Sequence, residues 1–339
     1  MTKVDVTTST FVRFFLLIFG IGFLYLIRDV IVLFFFVLII VAGLSPTVER
    51  WAKNITRPGA VIAITGLILL AVAAIVSVLV PPLVKQIQEF SQNLPALSQS
   101  FSETSNNSFL NEVSRLVTEN LNNVSEQLSN IGGVLFSQTI GVINGLVAVV
   151  TVFVLTFYLL LDEEGIKKLY KGLLPVGIYD DLTETTRKIA GKLGAWLRGQ
   201  LMLMAAVGFF VTLGLSIVGT DYALTLGVWA GLTEVIPIIG PWIGAVPGVI
   251  VGLTESPLQG LITLIVYTVI QQLEGNILVP KIMSKAVGLN PVIVIVAILI
   301  GGKLYGLMGV LLAVPLAAVI GVVVEDWHVL KGTFTKRSP

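Results

Sequence analysis

Long uninterrupted apolar runs constrain this chain more than any other feature. Roughly 20 mostly apolar residues cross the roughly 30 Å hydrocarbon core of a bilayer. Runs of that kind occupy 11–27, 30–44, 59–82, 134–161, 200–218 and 258–278. Two further apolar regions, 222–254 and 291–325, exceed one comfortable crossing and are interrupted by Gly and Pro. Only 12% of the 339 residues are charged against 55% hydrophobic, about half the charged share of a soluble domain. The expectation is an all-α polytopic integral membrane protein embedded in the lipid bilayer. It has six spanning helices plus two re-entrant helical hairpins, or eight spans. Only Arg28-Asp29 separates the first two runs, which predicts a tight hairpin rather than one very long helix.

The few charges exclude several function classes. With 21 Lys+Arg against 20 Asp+Glu the net charge is +1, so no cation surplus exists to pair with nucleic-acid phosphates. The absence of cysteine removes disulfides, thiol catalysis and thiolate metal sites. One histidine, His328, supplies neither a His metal cluster nor a Ser-His triad; beside Trp327 it reads as an interfacial anchor. No phosphate-binding loop occurs, because Gly302-Lys303 and Gly191-Lys192 are each followed by Leu. No enzyme, cofactor or resident metal is expected.

Orientation follows from basic residues, which concentrate on the cytoplasmic side. Membrane helices fill 1–82, followed by an extracytoplasmic helical segment at 83–133 and a membrane helix at 134–161. Within 83–133, Leu110, Val117, Leu121, Val124, Leu128 and Ile131 recur at helical spacing. The basic segment 162–199 is cytoplasmic, and its amphipathic part, 180–198, is expected along the membrane surface. If 222–254 and 291–325 each return to their own side, 17 basic residues lie inside, including Lys281, Lys285 and those of the tail 327–339. Both termini are then cytoplasmic, in the cell membrane.

The two interrupted regions carry the architecture. The first contains Glu234-Val-Ile-Pro237-Ile-Ile-Gly240-Pro241, and the second Gly301-Gly302-Lys303-Leu-Tyr-Gly306. Proline removes a donor and breaks the helical ladder, so two short arms with an irregular tip are expected in the first. Broken backbone at membrane depth persists only where protein covers it or a wet cavity adjoins it. The returning arms resemble each other: Gly240, Gly244, Gly248 and Gly252 lie four apart, as do Gly309, Ala313, Ala317 and Gly321. Each arm also contains Ala-Val-Pro, ending at Pro247 and Pro315. Small residues at that spacing make a face that lets another backbone come close. A helix-plus-hairpin unit therefore occurs twice, at 200–254 and 258–325, starting from opposite sides. Inverted repeats of broken helices are a plan of secondary transporters, and 200–326 reads as a transport core whose tips act as gates.

Candidate chemistry sits on the few polar groups of that core. A carboxylate at membrane depth costs about 2.5–3.5 kcal/mol on insertion scales. Glu234 is thus either a proton, cation or substrate ligand, or a cap on the hairpin tip. Gln271 and Glu274 share one helix face, as Gln272 and Asn276 do, and these groups can line a polar cavity or tie the helix to its loop. Lys303 either counters Glu234 or Glu274, attracts an anion, or reaches toward water.

In their order these pieces resemble the autoinducer-2 exporter family. The matching stretches are Phe157-Tyr-Leu-Leu-Leu-Asp162, Glu234 through Pro241, Gly244-Ala-Val-Pro247, Gln271-Gln-Leu-Glu-Gly-Asn276, Pro280-Lys-Ile-Met283, Leu289-Asn-Pro291, and Gly301-Gly302 through Ala313-Val-Pro315. Asn290 departs from the family, where many relatives carry His before the proline. The resemblance implies a transporter of a small polar solute, autoinducer-2 in some members and sodium or lithium against protons in others. It also implies homo-oligomers, pentamers among them. A non-transporting scaffold is the remaining alternative.

Overall fold

The computed structural model describes residues 8–103, 139–162, 165 and 179–327. Every element among them is helical. They are α1 (Thr8–Leu26), α2 (Arg28–Ala52), α3 (Arg57–Glu103), α4 (Thr139–Leu161), α5 (Tyr179–Val218), α6 (Ala223–Thr233) and α7 (Gly240–Glu255). Then come α8 (Pro257–Leu273), one π-helical turn (Glu274–Leu278), α9 (Val279–Ala286) and α10 (Pro291–Glu325). Among the described residues five helices are long and apolar enough to cross a membrane: Arg28–Ala52, Arg57–Leu79, Leu182–Val218, Pro257–Met283 and Pro291–Glu325. Phe19, Leu70, Ile217, Leu299 and Leu304 each stand more than half exposed on the outside, a surface suited to hydrocarbon. The protein is a multi-pass membrane protein. The predicted helix over Leu110–Ile131, the basic residues Lys167, Lys168 and Lys171, and the tail from His328 lie outside the described residues.

Two expectations change. The chain does not turn back at Arg28-Asp29. Ile27 donates to the Phe23 carbonyl and accepts from Ile31, each at 3.0 Å, so helical hydrogen bonding runs through the junction. A hairpin needs several residues with non-helical dihedrals, and Ile27 alone (φ −93, ψ 7) cannot reverse the direction. The run at 59–82 and the start of the helical segment predicted after it form one helix, Arg57–Glu103. Secondly, 180–198 is not set apart from the run at 200–218. It is the first half of α5, a continuous 40-residue helix, and its apolar face is covered by protein: Leu193 and Trp196 pack with Ile39 of α2 and with Ile298, Val310 and Val314 of α10.

Lipid tails are as apolar as leucine, so close packing holds these helices together. Three buried clusters result. One joins α2, α5 and α10, a second joins α5 through Val207, Val211 and Leu215 to α6, α7 and α8, and a third joins α2 through Val48 to α3 and α4. Helix α5 contacts α2, α6, α8, α9 and α10 and is the hub. Its N-terminal half is tied down as well. Lys188 Nζ donates to Asp326 at 2.9 Å and Thr185 Oγ1 donates to the same carboxylate at 2.8 Å. The Lys188 ammonium, with the Thr185 hydroxyl, holds the Asp326 carboxyl below the usual range.

Both interrupted regions reverse direction. In the first, α6 and α7 pack side by side: a methyl on Gly240 would meet the Thr233 carbonyl oxygen, and one on Gly244 would lie 3.0 Å from the Ala230 Cα. The second is a single helix by hydrogen bonding alone. At Tyr305 (φ −139, ψ 16) and Gly306 (φ 58, ψ −137) its dihedrals leave the helical region. Residues eight apart in a straight helix are separated by about 12 Å, yet a methyl on Gly309 would strike the Gly301 carbonyl oxygen. Arms 291–304 and 307–325 are therefore folded onto each other.

Candidate functional site

The irregular stretch between α6 and α7 follows from its prolines and glycine. Pro237 has no N–H to continue the ladder. The chain turns instead through bonds from Ile236 N to Thr233 O (3.0 Å), Ile239 N to Pro237 O (2.8 Å) and Gly240 N to Ile236 O (2.8 Å). Ile238 is forced to φ 70, and Pro241 starts α7 in the first turn, where the missing donor costs nothing. Glu234 stands at the inner end of this stretch, only 2% exposed. Its carbonyl accepts a 2.6 Å hydrogen bond from Gln200 Nε2 of α5, and its carboxylate Oε2 is buried with no hydrogen-bond partner.

A second carboxyl faces it. Pro280 disrupts the helix that α8 would otherwise continue, and one wide π turn, closed by Val279 N donating to Glu274 O, absorbs the break. Glu274 opens that turn, is nearly buried, and lies within hydrogen-bonding reach of the Glu234 carboxyl.

Both carboxyls line a cavity of about 700 Å³. Its walls come from α5 (Trp196, Gln200), the first tip (Pro237, Pro241, Trp242), the α8–α9 junction (Gln271, Met283) and the base of α10 (Pro291, Ile298, Val314). Pro237, Pro241, Glu234, Gln271 and Glu274 are thus brought together. Asn276 is not; its Nδ2 donates to Gln272 Oε1 at 3.0 Å on an exposed face. The second tip is also elsewhere. Gly301 and Gly309 with Ala313 border a separate apolar cavity of about 600 Å³ against Ile31, Val32 and Phe35 of α2, while Gly302 abuts Val310 and Lys303 is exposed. Arg28 stands near that tip, its guanidinium 5.8 Å from the Tyr305 ring.

The remaining small residues sit where helices touch. Gly248 lies against Tyr267, and Gly252 against Thr263 and the Gly260 backbone of α8. Pro247 is half-buried within α7, and Pro315 is fully buried within α10. Asn290 caps α10, its Oδ1 accepting from Val292 N at 2.9 Å.

Gln200, Trp196 and Trp242 are the cavity residues that the sequence reading did not single out. Gln200 carried a usable signal: an amide opening the apolar run 200–218 needs a partner once buried. The tryptophans carried none, because an aromatic residue in a membrane helix reads equally well as lipid-facing or packed.

Comparison with known proteins follows the same stretch of chain. Residues 14–328 match the model of the AI-2E family transporter family. Among curated proteins the chain is 31% identical over 71% of its length to "Putative transport protein YueF" of Bacillus subtilis, of which the match spans 64%. It is 32% identical to "Putative transport protein YrrI" of the same organism, over 72% of this chain and 70% of that protein. "Putative permease PerM" of Escherichia coli is 29% identical over 56% of the chain and 54% of its own length. The match thus spans less than two thirds of YueF and PerM.

Proposed function

The chain belongs to the AI-2E transporter family, and on that ground we propose that it is a secondary transporter moving a small polar metabolite across the cell membrane. Autoinducer-2 is one candidate solute. The observation that carries the reading is the pair of facing carboxyls, Glu234 and Glu274, in a cavity large enough for a metabolite. A buried Glu234 oxygen without a partner is costly unless something bound there satisfies it.

Arm length supports re-entry of the first hairpin. Helix α6 has 11 residues, about 16 Å, against roughly 30 Å of hydrocarbon. The first hairpin then dips in and returns, Lys281 and Lys285 stay on the side of the other basic residues, and both termini are cytoplasmic. The irregular stretch 234–239 is the moving gate, since Pro237 breaks the helical ladder there and Ile238 stands at positive φ. Protons are the coupling ion that a carboxyl pair suits best. The exposed apolar faces of α1 and α3 accept lipid and further copies of the chain.

Proteoliposomes test this. Vesicles loaded with a defined panel of cell metabolites, autoinducer-2 included, are assayed for efflux by mass spectrometry under an imposed proton gradient. At least one solute is expected to leave faster than from empty vesicles, and Glu234→Gln is expected to slow it by about tenfold or more. Efflux equal to that of protein-free vesicles for every solute overturns the reading.

A further inference from the structure

We infer that the cavity selects a solute of positive charge, a small organic cation carrying an amine or quaternary ammonium group on an apolar body. The inference rests on the transport reading for its physiological meaning and names the substrate class of that same site.

Charge is the first ground. The cavity presents two carboxyls, and none of the described residues lining it is Lys, Arg or His. Three of the four cations of α5 have partners: Lys188 bonds Asp326, Lys192 the Val287 carbonyl at 2.9 Å, and Arg198 the Gly43 carbonyl at 3.4 Å. Glu234 is 2% exposed, its Oε2 is unpartnered and its neighbour is another carboxyl. Two carboxyls that face each other share a proton at most, so the pair retains room for one positive partner. An anion entering this site would meet carboxyls and, among the described lining residues, no cation.

Wall chemistry is the second ground, and it separates an organic cation from the alternatives. Apart from the two carboxyls, the side-chain amides are Gln200 and Gln271, and Gln200 is already committed to the Glu234 carbonyl. A neutral polyol would lose most of its hydration in exchange for very few partners. A bare metal ion needs about six oxygen ligands if it is hard, and no group of three acidic or histidine side chains exists among the described residues. The rest of the wall is apolar and aromatic. Buried Trp196 lies at one side, exposed Trp242 at the tip, and Met283 with the prolines between them. Indole attracts ammonium groups more strongly than any other side-chain ring, so an ammonium head can reach the carboxyls while its body lies on indole and proline.

Binding by the full chain in lipid nanodiscs, followed by calorimetry and tryptophan fluorescence, decides the matter with three probes of one size: benzyltrimethylammonium, benzyl alcohol and benzenesulfonate. The cation is expected to bind about tenfold more tightly than the alcohol, and the sulfonate more weakly still. That ranking uses the unaltered protein and needs no variant. Glu234→Gln or Glu274→Gln is expected to erase the preference, and Trp242→Leu to weaken the cation about threefold. Equal affinities for cation and alcohol, or a preference that survives both carboxyl substitutions, overturn the inference. Efflux separates the two readings. Export of neutral polyols with no preference for cations sinks the inference and leaves transport standing, whereas cation binding without efflux of any solute sinks transport and leaves the site.

Discussion

The two hairpins share a sequence signature and differ in what their tips do. The first reverses through 234–239 and presents its tip to the cavity. The second reverses at Tyr305-Gly306 alone and presents its tip to α2. What they share, small residues four apart and an Ala-Val-Pro, is spent on packing: Gly240 and Gly244 against α6, Gly301 against Gly309. These shared small residues serve the pairing of arms. Chemistry depends on residues that are not repeated, because Glu234 has no counterpart in the second region and Lys303 faces away from the cavity.

That contrast is open to attack, most forcefully at the second hairpin. A leucine at Gly309 would have to displace the Gly301 backbone carbonyl, so Gly309→Leu is expected to cost about 3 kcal/mol or more and to abolish monodisperse protein on size exclusion. Gly20→Leu on α1, where an added methyl meets nothing within 4 Å, is the control and keeps its yield. Equal yields would mean that the arms are not folded together.

A smaller effect compares the tips by sign. Gly306 sits at φ 58 in open space, so Gly306→Ala brings only backbone strain, about 1–3 kcal/mol of lost stability. Ile238 already carries a β-branched side chain at φ 70, so Ile238→Gly relieves strain and is expected to raise stability by about 1 kcal/mol. Thermal unfolding in nanodiscs reads both, and shifts of the same sign would show that the first tip holds no strain.

The smallest expected effect lies where α10 is tied to α5. Asp326 has its carboxyl pKa lowered by Lys188 and Thr185. A group lowered on folding stabilises above its unfolded value, near 4, and loses that contribution as pH falls through the folded value. Asp326→Asn should lower the melting temperature slightly at neutral pH and flatten its decline on acidification. An unchanged acid limb would show that this contact does not anchor the second hairpin.

Much of this was legible from periodicity and punctuation. Apolar runs located the membrane helices, and Pro237, Gly240, Pro241 and Gly306 marked both reversals. Glu234, Gln271 and Glu274 stood out because polar groups are rare in the core. Three things were not legible. A one-residue interruption such as Ile27 leaves no pattern that separates a kink from a turn. A charged stretch such as 180–198 gives the same amphipathic signal whether its apolar face meets lipid or Trp196's neighbours on α2 and α10. Asn276 misled because a face shared with Gln272 does not say which side that face points to.

Helix α5 has one more consequence. It runs without a proline from the Lys188–Asp326 contact to Gln200, 12 residues further along, a distance of about 18 Å. An unbroken helix transmits rotation and tilt as a stiff rod does. A tilt imposed at the Lys188 end reaches the amide that holds the Glu234 carbonyl along one continuous helix.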